Sequence, residues 1–398
     1  MQDSVSLTKS GVVVRMDKGQ GMYAYSPFSG LFYLIHDSIA GKVLGWLNKK
    51  SKTSPGEEYS QSLGVGWFSS WDDADFSGTH LLPKGKWPSL HYPQKPIVIN
   101  WLITGNCPLD CQYCYAEDLM RGNALEPKNL NKIKKIAASI LQLKPLAVVI
   151  TGGEPLASRY FEDILEMVSG KAGVIVDTSG YGFQKRHIPL LKKHNVNLRI
   201  SLDSELPKIN DIQRPLHKKS KPVDLEGNRS IDVGLNALLS CADAKVPFSV
   251  HTVATRKSAN DLVEFGDKLF RLGVKSWRIF KVLEPNIVKA GYRAIAIGEG
   301  NGPYDYNFKK VMESHSARWK KQMAVQVISS GVTNSIILVS PDGKFYTEST
   351  VEKKKVEIDE ENPYKPRMSS LPSIVNMSAH LERYLNISIR PIKRKKNT

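Results

Sequence analysis

The sequence predicts an α/β fold built on a parallel sheet, preceded by a smaller α+β segment and followed by an extension. Three observations predict it. Between Ile97 and Leu283, short apolar runs alternate with helical segments, the pattern of βα units joined by right-handed crossovers. Polar or glycine-containing clusters follow the first four of these apolar runs, and ligands of such folds bind at the carboxyl ends of the strands. Before Lys95 and after Pro285 the alternation is absent. Six strands of this kind make either an open partial barrel or a doubly wound sheet.

In residues 1–95, Val12–Met16, Met22–Tyr25 and Leu31–Ile35 read as short strands, with Ser29-Gly30 as a turn. Asp37 caps a helix carrying Ile39, Val43, Leu44 and Leu47 at helical spacing. Tyr59–Trp67 is a further helical candidate, and the prolines at 83, 88 and 93 mark a linker. The strands of the repeating region are Ile97–Thr104, Leu146–Thr151, Gly173–Asp177, Asn197–Asp203, Phe248–Thr255 and Ser276–Leu283. The helices are Leu130–Leu143, Phe161–Val168, Ile188–His194, Ile231–Ala244 and Ala259–Leu272. Residues 204–230, polar and rich in Lys, Pro and Asn, read as a long loop. Beyond Pro285 come the glycine-rich run 291–302, a helix at Phe308–Lys321, strands at Val325–Ser329 and Ser335–Val339, a Pro341-Asp342-Gly343 turn and a last helix at Ser378–Leu385. This part reads as a small antiparallel or mixed extension of the sheet. The expected division is therefore 1–95, 96–285 and 286–398.

With 398 residues, 41% of them hydrophobic, the chain can bury a sizeable core. It opens without a basic-led apolar run, so no signal peptide is expected. No apolar run nears the roughly 20 residues of a membrane span. A cytoplasmic protein with no membrane partner is the expectation. The formal charge is +17, concentrated partly in Lys353–Lys355 and Arg390–Lys396. Such runs are ordinarily solvated surface; the alternative is attraction of a nucleic acid, a nucleotide or an acidic peptide.

Four cysteines in a chain of this length are no disulfide framework, and their clustering points to metal or redox chemistry. Cys107, Cys111 and Cys114 form C-x3-C-x2-C just beyond the first strand. A structural zinc site wants four ligands in a closed tetrahedron. Here a fourth would have to come from His80 or His91. A [4Fe–4S] cluster takes one thiolate per iron, so three thiolates leave one iron open to a ligand such as an amino acid's amine and carboxylate. Tyr113 lies between the second and third thiols and would shield the cluster. Cys241, on a helix with Leu235, Leu238 and Leu239, is a packing residue. The remaining strand-end signals are Gly152-Gly153-Glu154-Pro155, Thr178-Ser179-Gly180 and Asp203. Ser201 and Asp203 alternate to one face, as do Ser249 and His251.

The cysteine spacing, with an aromatic residue before the third thiol, resembles the signature of the radical S-adenosylmethionine (radical SAM) enzymes. Gly152-Gly153-Glu154-Pro155 resembles their second-strand motif. The resemblance runs from about Ile97 to Pro285 and implies a partial (βα)6 TIM-like barrel. It implies a [4Fe–4S] cluster on Cys107, Cys111 and Cys114 whose open iron binds S-adenosyl-L-methionine (SAM). Reductive cleavage of SAM would then yield a 5′-deoxyadenosyl radical that abstracts a substrate hydrogen. Gly152, Gly153 and Glu154 would hold the methionine amine, the glycines by close backbone approach and the carboxylate by pairing the ammonium. Thr178 and Ser179 would lie near the ligand. Ser201 and Asp203 resemble the family's ribose and carboxylate contacts, and Arg214 would pair a carboxylate of SAM or substrate. No catalytic residue is assigned. A donor such as flavodoxin or ferredoxin is implied as partner.

Met22–Leu34 resembles the leading domains of radical enzymes that modify ribosomally made peptides, which often add a leader peptide as a strand at a sheet edge. Leu338–Tyr346 resembles the hairpin of SPASM or twitch extensions, but no cysteine follows Cys241, so a single cluster is expected. A peptide or protein substrate is favoured, with a nucleotide or RNA as the alternative.

Overall fold

A computed structural model describes residues 4–17, 20–49, 79–83, 93–111, 113–116, 119, 126–216, 230–281, 304–319, 322–329, 334–349 and 354–391. The expected helix Tyr59–Trp67 and the glycine-rich run 291–302 lie outside them, as do His91 and the His80 side chain.

The first strands are β1 (Val5–Leu7), β2 (Val13–Asp17), β3 (Gly21–Ser26) and β4 (Leu31–Ile35), an antiparallel meander followed by the helix Asp37–Lys49. β5 (Thr79–Pro83) belongs to the same sheet. The repeating region supplies β6 (Val98–Leu102), β7 (Ala147–Thr151), β8 (Gly173–Thr178), β9 (Asn197–Ser201), β10 (Phe248–Ala254) and β11 (Ser276–Lys281). Each pairs in parallel with the next, and helices fall between them as expected. Helix Leu130–Gln142 buries Ile133, Ile136, Ala137 and Ile140 at helical spacing and is capped by the Asn129 side chain on the Lys132 N–H.

After β11, two strands extend opposite edges of this sheet. β12 (Ala324–Ser329) pairs in parallel with β11, whereas β13 (Leu338–Val339) pairs in parallel with β6. β14 (Phe345–Ser349) and β15 (Lys354–Glu357) add an antiparallel hairpin beyond β13. The result is a ten-stranded, mostly parallel sheet. Helix Met377–Tyr384 then leads into β16 (Leu385–Pro391), which lies in the first sheet between β4 and β5.

Alternation along the strands divides the interior in two. Ile99, Trp101, Val148, Ile150, Val174, Val176, Leu198, Ile200, Val250 and Ile279 pack against the outer helices. The opposite face begins with Val98, Ala147, Val149 and Ile175, which meet Tyr23, Tyr25 and Phe32 of the first sheet and Leu381 and Tyr384 of the last helix. The N-terminal sheet thus forms a floor beneath the amino ends of the barrel strands. Gly173 admits this contact, since a Cβ there would lie 2.4 Å from the Tyr25 ring. Arg15, fully buried, donates to the Pro96 and Lys144 carbonyls, both at 2.7 Å, and is paired with Asp17. Cys241 is buried in the helix-side core, as expected.

Three elements depart from expectation. The polar stretch after Asp203 contains a helix, Pro207–Gln213, because proline is tolerated at a helix start and Asn210 and Gln213 turn inward. The helix expected at Phe308–Lys321 is Asp305–Ser314 followed by a π turn, His315–Trp319. Lys355, within a run expected to be solvated, is 9% exposed and its ammonium donates to the Tyr115 carbonyl.

Candidate active site

The cysteine loop is seated on the turn that follows β7. The Gly153 N–H donates to the Thr104 carbonyl at 2.7 Å, and the Glu154 N–H to the Asn106 carbonyl at 2.8 Å. Neither glycine has space for a side chain. A Cβ at Gly153 would lie 1.9 Å from the Asn106 oxygen and 2.9 Å from the Cys107 nitrogen. One at Gly152, where φ is +137°, would lie 2.3 Å from the Thr104 oxygen. The backbone brought close by these glycines is the chain's own cysteine loop. On its other side Asp110 N–H donates to the Pro215 carbonyl at 2.9 Å, Leu109 bridges Leu216, and Lys355 holds the carbonyl that follows Cys114 by one residue.

Cys107, Cys111 and Cys114 are half-buried and form no disulfide. Burial, reinforced by Cys111, Glu154 and Cys114 nearby, pushes the Cys107 thiol up to about 12, while the Leu109 N–H pointing at its sulfur partly offsets this. Thiolates crowded in such a place are stable only when cations share them. Soft thiolates on one short loop suit iron–sulfur chemistry, so this donor set fits an iron–sulfur group.

Glu154 is fully buried. Its oxygens receive the Thr178 hydroxyl at 2.6 Å, the Ser179 hydroxyl at 2.6 Å, the Ser179 N–H at 2.9 Å and the Leu156 N–H at 3.2 Å. Burial raises its pKa, and these bonds work in the opposite direction. The carboxylate therefore fastens the end of β7 to the end of β8. Direct pairing with a ligand ammonium, as the sequence led us to expect, would require some of these bonds to break. Thr178 and Ser179 are buried in the same network.

Tyr113, Asp203 and Arg214 meet on the opposite rim. The Tyr113 hydroxyl donates to Asp203, and Arg214 donates to the Tyr113 oxygen at 3.2 Å and lies 3.9 Å from Asp203. Asp203 also accepts the Val253 N–H at 2.8 Å and the Gln213 amide at 3.3 Å. Its 1% exposure raises its pKa by desolvation, opposed first by Arg214. Burial and Asp203 together raise the Tyr113 phenol. Helix Pro207–Gln213 makes the cluster possible by aiming Gln213 at Asp203 and bonding Asn210 to the Asp203 N–H at 3.0 Å.

Beneath the loop the barrel interior is polar. Tyr115 is 43% exposed, yet burial raises its phenol's pKa, with Asp177 adding to the shift. Asp177 and Arg199, neighbours across β8 and β9, form a bidentate ion pair. Ser201 is half-buried and pairs in register with His251, which in turn pairs with Arg278, and Arg278 with Gln326. The reading of the sequence put Ser201 with Asp203, and His251 with Ser249, on one face of their strands but passed over Tyr115, Asp177, Arg199, Arg278 and Gln326. The signal was available, since a charged residue in the middle of an apolar strand must have a polar interior to face.

The Radical SAM superfamily model matches residues 101–225. Among curated proteins, mycofactocin maturase MftC of Mycolicibacterium smegmatis is 26% identical over 183 residues, covering 45% of this chain and 43% of that protein. A GTP 3′,8-cyclase of Pseudomonas savastanoi pv. phaseolicola is 27% identical over 139 residues, covering 33% and 42%. The chain thus spans less than half the length of either relative. Among solved structures, Streptococcus suis SuiB has a similar fold at 12% identity, with a TM-score of 0.53 over 91% of this chain and 88% of that one. SuiB has also been solved bound to S-adenosylmethionine and bound to its precursor peptide SuiA. The cysteine loop seated on its glycine turn falls within the matched stretch, so residues 101–225 of this chain carry a radical SAM domain.

Proposed function

We propose that this protein uses a single [4Fe–4S] cluster, held by Cys107, Cys111 and Cys114, to cleave SAM and abstract hydrogen from a ribosomally made peptide or protein. The observation that carries the reading is the three-cysteine loop seated on the Gly152–Gly153 turn at the end of β7. When bound, the cluster and SAM supply one-electron cleavage of the sulfonium to methionine and a 5′-deoxyadenosyl radical, the electron coming from a donor such as flavodoxin or ferredoxin. The chain's own residues hold and shield. Gly152 and Gly153 seat the thiols, and Glu154 fixes the Thr178–Ser179 turn beside them. Asp203, with Tyr113 and Arg214, gives the opposite rim a carboxylate and a guanidinium for the polar groups of SAM, with Ser201 just below. Tyr25, Phe32 and Tyr384 pack beneath the strands and would help exclude the water that quenches a radical.

The peptide assignment is supported by the likeness to SuiB, which covers 91% of this chain. The net charge of +17 and the similarity to a GTP 3′,8-cyclase favour a second reading, in which the substrate is a nucleotide or RNA. Incubating the reconstituted enzyme with SAM and reductant separates the two, with a candidate precursor peptide in one arm and GTP or RNA in the other. A mass shift in the peptide is expected. Modification of the nucleotide with the peptide unchanged would replace the first reading by the second.

A further inference from the structure

Arg199 and Arg278 stand on the two strands that flank His251, and Arg278 is its register partner. Arg199, Arg278 and Arg383 all act on His251 and, after burial itself, hold its pKa well below the usual value. The His251 ring packs edge-on against Phe280 at 5.1 Å, and its Nε2 is buried with no hydrogen-bond partner among the described residues. A second orphan lies at the floor, where the buried Tyr25 hydroxyl, within the field of Arg199 and Asp177, also lacks a partner. The carboxylate facing this group, Asp177, is engaged bidentately by Arg199.

Arg278 is the least compensated charge. It is 7% exposed, yet its partners are neutral: the Gln326 amide oxygen at 2.8 Å, the Arg383 carbonyl at 2.8 Å and the Tyr384 ring at 5.9 Å. Burial, with Arg199 next, pulls its guanidinium down to about 9. A buried charge without a counter-charge is costly. The fold nevertheless leaves Arg278 in that state, register partner of a histidine whose Nε2 is unsatisfied, with Arg199 and Arg383 acting on the same imidazole. That arrangement becomes favourable when an anion enters, because guanidinium donors match an oxyanion's geometry.

We propose that Arg278, Arg199, Arg383 and His251 form an oxyanion-receiving subsite inside the barrel that takes a carboxylate of the peptide substrate, an Asp or Glu side chain. This rests on the proposed function and narrows its substrate to acidic peptides. Because Arg278 lies mid-strand, below the rim formed by Asp203 and Arg214, the subsite selects the substrate and leaves SAM to the rim.

The test uses the full-length, cluster-reconstituted protein with SAM and two capped tripeptides, acetyl-Ala-Glu-Ala-amide and acetyl-Ala-Gln-Ala-amide, whose affinities are compared by ligand-observed NMR. The Glu peptide is expected to bind at least about tenfold more tightly, the scale of a charge-assisted hydrogen bond. Arg278→Met should abolish the preference and Arg278→Lys should keep part of it, with SAM affinity unchanged in both. Cluster absorption and the thermal melt report folding, so an unfolded Met variant leaves the Lys variant and the wild-type preference to decide. Equal affinity for the two peptides, or binding of neither, overturns the proposal. So does a parallel loss of SAM affinity in the variants, which would make SAM the anion, or displacement of the Glu peptide by GTP at lower concentration, which would make it a phosphate. The formation of 5′-deoxyadenosine in the same samples is read separately, so the subsite can fail while SAM cleavage stands.

Discussion

At Gly153, a single absent methyl group decides whether the cysteine loop can close. A Cβ there would meet the Asn106 carbonyl at 1.9 Å and the Cys107 nitrogen at 2.9 Å, and backbone cannot yield as a flexible side chain does. Gly153→Ala should therefore displace the loop and lower iron content and the roughly 400 nm absorption of the reconstituted protein severalfold (the cluster needs all its thiolates). Full loading of the variant would show that the loop closes without this seat. The glycine pair and the thiol spacing were legible because both are local in sequence. The internal engagement of Glu154 was not, because its partners Thr178 and Ser179 lie on another strand. Asp177, Arg199 and Arg278 were passed over for a different reason: strands were recognised there by apolar content, which treats a charged residue as noise when it marks the polar face.

Helix Met377–Tyr384 shows how one element joins separate parts of the chain. Its His380, fully buried, accepts the Ile97 N–H at 3.0 Å and the Val98 N–H at 3.3 Å through Nε2, while Nδ1 faces the Ser335 carbonyl at 2.8 Å. That pattern needs the neutral ring, and burial lowers its pKa from the usual 6.5 to about 4. Between those values the unfolded chain binds the proton and the folded chain does not. The contribution is thus complete above pH 6.5 and is lost as pH falls toward 4, by on the order of 3 kcal/mol. His251, also lowered, works in the same direction. Urea unfolding at about pH 7 and about pH 4.5 should show the loss, and His380→Gln should flatten it measurably (linkage requires the titrating group). An unchanged pH slope in the variant would remove His380 from the account. The six βα strands were readable from their alternation with helices, and this last helix was expected within one residue of its place, at Ser378–Leu385. The positions of β12 and β13 at opposite edges were not, nor that of β16 in the first sheet, because pairing between distant segments leaves no local pattern.

Across the described residues, a mostly parallel sheet carries the thiol loop beyond the carboxyl end of β6 and meets an aromatic layer of the first sheet at its amino ends. The first sheet receives its β16 strand from the far end of the chain and packs Tyr25 and Phe32 beneath the barrel strands. Hairpin β14–β15 returns to the rim, where Lys355 holds the Tyr115 carbonyl. Among the described residues no helix is long and apolar enough to cross a membrane. The central claim is that the three thiols hold the group that initiates radical chemistry. It is tested most directly by 5′-deoxyadenosine formation from SAM and reductant, measured anaerobically on the reconstituted wild-type protein and on Cys111→Ala side by side. The account predicts product from the wild type and none above background from the variant, which should also lack the cluster absorption. Equal product from both proteins, or none from a wild type carrying a full complement of iron, would contradict it.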